Sequence, residues 1–100
     1  MIPQKTIEEL IKKHSNLESD LSSGKIDKKL FAEKSKEYAD LNDIIDSAKK
    51  YISFDKDKSE LEKIITEKNT DEELKKMAES ELNNLNFNYK KIEKKLKFFL

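Results

Sequence analysis

The sequence predicts an all-α fold: an up-down-up, three-helix antiparallel bundle with coiled-coil-like packing, the middle helix longest. Three observations predict it. A single glycine, Gly24, and a single proline, Pro3, leave no turn punctuation for a sheet protein, which needs it about every 8–12 residues. Charged residues make up 42% of the chain and hydrophobic ones 35%, too polar for a multilayer core but suited to long helices wetted over most of their surface. Apolar residues also recur at alternating spacings of three and four along three separate runs.

The first run is Ile7, Leu10, His14, Leu17 and Leu21, widened by Ile11. It describes one face of a helix over about residues 4–22. Pro3 suits the first turn, Thr6-x-x-Glu9 has the spacing of a capping box, and Ser23-Gly24 supplies the stop.

The second run places Phe31, Tyr38, Ile45 and Ile52 seven apart, with Leu41 and Ala48 between them. It thins after Ser53, where any bend would fall, and resumes at Leu61, Ile64 and Ile65. With Asp27 as cap and neither proline nor glycine to interrupt it, one helix is expected over about 27–68, roughly 60 Å long.

The third run is Ala78, Leu82, Leu85, Tyr89, Ile92, Leu96 and Phe99, behind Thr70-x-x-Glu73, again with the spacing of a capping box. It predicts a helix over about 71–99. Short loops between long helices force antiparallel neighbours, so residues 1–100 are expected to form one helical domain, a monomer. The chain ends on KKLKFFL, with two core-type residues and no cap, which gives the expectation of a piece of a longer protein.

Composition excludes several kinds of chemistry. Twenty-one lysines balance 21 acids, no arginine occurs, and net charge is zero, so the chain as a whole has no general attraction for nucleic acid or anionic membrane. Without cysteine there is no disulfide, thiolate nucleophile or cysteine zinc site. No apolar run is long enough to span a membrane, and the start MIPQKTIEEL is neither signal nor transit peptide, which leaves the cytoplasm as the default location.

Individual sites read the same way. His14 sits on the stripe with no second histidine, the position of a histidine at the edge of the core rather than a metal ligand. Asp55, Asp57 and Ser59 have the first spacings of a calcium loop, but Glu60 replaces the required glycine and Thr66 the bidentate glutamate. Glu8/Glu9 and Glu72/Glu73 are adjacent and point about 100° apart on a helix, the wrong geometry for a general acid and base. Lys90, Lys91, Lys94, Lys95 and Lys97 against Glu93 give a local net charge of +4. Dipole complementation and solubility are the expected reasons for them, with contact to RNA phosphates as the other reading. Phe87 and Phe98 fall off the stripe and are candidate contact points. No catalytic, cofactor-binding or metal residue is expected; the residues alone describe a helical interaction module.

Two ordered blocks go further. In FAEKSKEYADLNDII, Phe31 to Ile45, a Phe precedes a Ser, then Glu-Tyr-Ala, then a Leu and an Asp; DEELKKMAESEL, Asp71 to Leu82, has an acidic helix start, Met-Ala, then Glu-Leu. Together they resemble the first domain of the bacterial peptide chain release factor 1 family. The resemblance implies a factor that enters the ribosome, recognises UAA or UAG and triggers hydrolysis of peptidyl-tRNA. Its implied partners are the ribosome, at the stalk base of the large subunit, the GTPase release factor, and the remaining domains of the parent chain. Sequence-specific nucleic-acid binding is not implied for this part. The family's Gly-Gly-Gln and Pro-x-Thr motifs have no counterpart here. The alternative is a free-standing coiled-coil adaptor or chaperone-like bundle unrelated to translation.

Overall fold

In a computed structural model describing residues 1–100, the chain forms helices α1 (Gln4–Ser22), α2 (Lys28–Thr66) and α3 (Glu72–Phe99). A straight helix of α2's 39 residues spans about 58 Å, which accounts for the molecule's long dimension of 60 Å against 26 and 20 Å across. Helix α2 runs unbroken through Ser53, whose single hydroxyl proton has two acceptors within reach, the Asp57 carboxylate (3.1 Å) and the Lys50 carbonyl (3.3 Å).

Both outer helices lie antiparallel to α2. The register of α1 is marked by Lys34 Nζ on Asp20 (2.8 Å), the Lys13–Glu37 ion pair and His14 Nε2 on Asn42 Oδ1 (2.7 Å). That of α3 is marked by the Tyr51 hydroxyl donating to Glu93 (3.1 Å). The two exposed ion pairs hold long side chains in water and add little stability; they report the register rather than enforce it.

The core occupies the level at which all three helices overlap. Ile2, Ile7 and Leu17 meet Leu41, Ile44, Ala48 and Tyr51 of α2 and Leu96 of α3, with Leu10, Ile11, Tyr38, Ile52, Tyr89 and Ile92 packed round the edge. Ile7 and Leu96 are fully buried. Met1 and Ile2 line a small cleft with Tyr51, Ile52, Phe54 and Asp55 of α2; beyond that level α2 pairs with α3, while its first turns pair with α1.

That arrangement explains where the heptad stripes stop being a core. Phe31 and Phe99 occupy stripe positions yet are exposed, and Leu82 and Leu85 are half-buried. A stripe residue is covered only where a neighbour stands at its level. Conversely, Ile44 and Tyr51 are buried although they lie off the heptad series. Each is adjacent to a stripe residue (Ile45, Ile52) and points about 100° away from it, so α2 serves two partners at once.

The ends differ in detail from the sequence expectation. Helix α1 begins a turn before the supposed capping box: Pro3 is the N-cap, and the Thr6 and Ile7 amides reach its carbonyl. Pro3 has no side-chain acceptor, so no capping hydrogen bond forms there. At α3 the N-cap is Asp71 rather than Thr70, which places Leu74 where a box would need a glutamate. Glu72 and Glu73 lie in the first turn, favoured by the helix dipole. Helix α2 ends at Thr66, not Lys68: Glu67 is extended (ψ 130°), and the Thr70 amide closes a turn on the Glu67 carbonyl. Gly24 follows the α1 cap at φ +69°, and a Cβ there would meet nothing within 4 Å. Conformation alone therefore selects glycine at that point.

Candidate functional site

Polar groups inside the bundle are satisfied among themselves. The Ile2 amide donates to the Tyr51 hydroxyl (2.9 Å), which donates in turn to Glu93 Oε2, so one phenol ties the N-terminal segment, α2 and α3 together. The Tyr51 hydrogen bond, helped by Lys97, holds the Glu93 carboxyl below its ordinary value. Tyr89 stacks on both Tyr51 and Phe54 (centroids 5.0 and 3.9 Å apart). Burial in that stack pushes its phenol up. None of this network figured in the sequence expectation. The usable signal was the adjacent apolar pair Tyr51-Ile52, where a tyrosine between two helices needs a partner for its hydroxyl.

His14 is buried at the core edge. It donates through Nε2 to Asn42 Oδ1 and stacks on Tyr38 (4.8 Å). Asp55, Asp57 and Ser59 belong to the continuous helix α2, where no loop can gather them. Glu8 and Glu9 are exposed on α1, and Glu72 and Glu73 on α3; nowhere do three His, Cys, Asp or Glu side chains converge as a metal site would require.

The surface is more informative. Shallow grooves run between α2 and α3: one is lined by Phe54, Asp57, Leu85, Tyr89 and Ile92, and a second by Leu61, Ile64, Glu81 and Leu85. Apolar side chains stand out at the tips and along α3: Leu30 and Phe31 near the first hairpin, Leu74 and Met77 near the second, and Phe87, Phe98 and Leu100 on α3 and its end. Lys91 Nζ lies 4.4 Å from the centroid of the Phe87 ring. The two phenylalanines singled out from the sequence are thus both exposed, and both border the lysine cluster. No helix is long and apolar enough to cross a membrane.

Fold and surface define an elongated, all-helical bundle of coiled-coil-like packing. The chain belongs to the PCRF domain family, which it matches over residues 10–100. It is similar to "Peptide chain release factor 1" of Pelagibacter ubique, with 62% identity over all 100 residues, corresponding to 28% of that relative's length. It is also similar to the proteins of that name from Orientia tsutsugamushi and Ehrlichia canis, each 36% identical over 94% of the chain and 26% of the relative. The chain therefore spans only about a quarter of the relatives it matches. No solved structure matches.

Proposed function

We propose that this chain is the N-terminal accessory domain of a peptide chain release factor acting in translation termination at UAA or UAG. One observation carries the reading: 62% identity along the whole chain to a relative named "Peptide chain release factor 1", within a matching PCRF domain. In this reading the bundle is a monomeric, cytoplasmic module with no catalytic, cofactor or metal residue. It contacts the ribosome near the stalk base of the large subunit, the GTPase release factor, or both, while stop-codon reading and ester hydrolysis belong to other domains of the parent chain. The Tyr51 hydroxyl, which ties the N-terminal segment, α2 and α3 together, supports it, because a docking element works by holding its surfaces at fixed spacing.

The test is a chimera. This chain replaces the first 100 residues of the Pelagibacter ubique relative, and multiple-turnover termination with the GTPase release factor is measured. The expected result is turnover within about threefold of the intact relative, and well above that of the same protein with those residues deleted. A chimera no better than the deletion, although folded, would refute the reading.

A further inference from the structure

Lysines near a helix C-terminus ordinarily complement the helix dipole, whose influence is confined to the last turn. In α3 only Lys97 lies in that turn, and it is paired with Glu93 at 3.5 Å. Lys91, Lys94 and Lys95 lie further in, are exposed and have no acidic partner, while Glu93, the one acid of the segment, is committed to Tyr51 and Lys97. The dipole does not account for these three.

They share an arc of about 100° with Phe87 and Phe98, at helical offsets of 0, 4, 7, 8 and 11. The two rings are 60% and 94% exposed and stand about 16 Å apart along the axis, at either end of the lysine row. Lys91, Lys94, Lys95 and Phe98 line one open groove. Because the chain as a whole is electrically neutral, this row is a local choice rather than a by-product of a basic protein.

We propose that this face of α3 binds single-stranded RNA: the lysines take consecutive phosphates, and Phe87 and Phe98 stack on bases at the two ends. Charge complementarity selects a polyanion. The flanking rings select one with exposed bases, since stacking on an aromatic platform tolerates any base, whereas a bare polyanion has nothing to stack. The inference goes beyond the termination reading and does not depend on it; such a face would bind RNA in a chain with no role at the ribosome.

The test uses the 100-residue chain and a fluorescein-labelled oligouridylate of about 12 nucleotides, with binding read by anisotropy. The expected affinity falls as salt rises, with a log–log slope of roughly 2 for three phosphate contacts. K91Q/K94Q/K95Q should weaken binding at least about tenfold and reduce that slope. F87A/F98A should weaken oligouridylate binding by about tenfold and leave heparin binding unchanged. K28Q/K29Q/K36Q, on exposed lysines elsewhere, should have little effect. All substituted residues are exposed, and circular dichroism confirms the fold of each variant. Absence of binding by the unmodified chain, equal loss on substituting the lysines elsewhere, or no effect of removing the rings on oligouridylate would each overturn the proposal. Capture of an acidic helical peptide in preference to RNA at this face would overturn it too.

Discussion

Tyr51 carries an unusual share of the polar architecture: it accepts from the Ile2 amide, donates to Glu93 and stacks on Tyr89. In Tyr51→Phe the ring and its packing survive, but the amide loses its acceptor. A loss of about 1–2 kcal/mol in chemical denaturation is expected. The same change predicts a pH effect. Glu93 has a lowered folded-state pKa, so its contribution is present above the carboxyl's ordinary 4.5 and disappears as pH falls through the depressed value. The unmodified chain should therefore lose stability on acidification below about pH 4.5, and part of that acid limb should vanish in Tyr51→Phe. An identical limb in both proteins would remove Tyr51 as its cause. At this scale the sequence was only partly legible. The placement of His14 at the edge of the core follows from its stripe position, but its bonds to Asn42 and Tyr38 depend on the register between α1 and α2. The Tyr51 network likewise depends on contacts across 42 and 49 residues of sequence.

At the scale of elements, α1, α2 and α3 follow from periodicity, since the alternation of three and four that specifies a helix is local information. How deeply each stripe residue is covered is not local. The heptad of α3 reads as uninterrupted from Ala78 to Phe99, yet its buried members are the small Ala78, covered against α2, and Leu96, which shares the core with Ile2 and Ile7. Leu85, which the stripe alone would make a core residue, lines the open groove beside Phe54. Two substitutions separate these environments. Leu96→Asp places a charge where no water reaches and should abolish cooperative melting of a small domain with limited stability to spare. Leu85→Asp lets the carboxylate turn toward solvent in the groove and should leave a folded, weakened protein. Thermal denaturation followed at 222 nm compares them; equal damage from both would mean that the bundle is closed along its whole length. The caps expected at Thr6 and Thr70 give way to Pro3 at α1 and Asp71 at α3, whereas Asp27 is the N-cap of α2 as its position predicts.

At the scale of the molecule, a radius of gyration of 18.3 Å against about 13 Å for a compact chain of this length describes a strut. Its middle joins all three helices in one core, and its two-helix arms present Leu30, Phe31, Leu74 and Met77 at opposite tips. That shape suits the spacing and docking of other bodies better than the enclosure of a substrate. The accessory reading assigns the chemistry of termination elsewhere in the parent protein. The direct measurement is single-turnover peptide release from stalled termination complexes. It is made with this chain alone and with the Pelagibacter ubique relative lacking its first 100 residues. The account predicts no release by the chain at any concentration and qualitatively intact hydrolysis by the shortened relative. Release by the chain, or loss of hydrolysis in a shortened relative that remains folded, would contradict it.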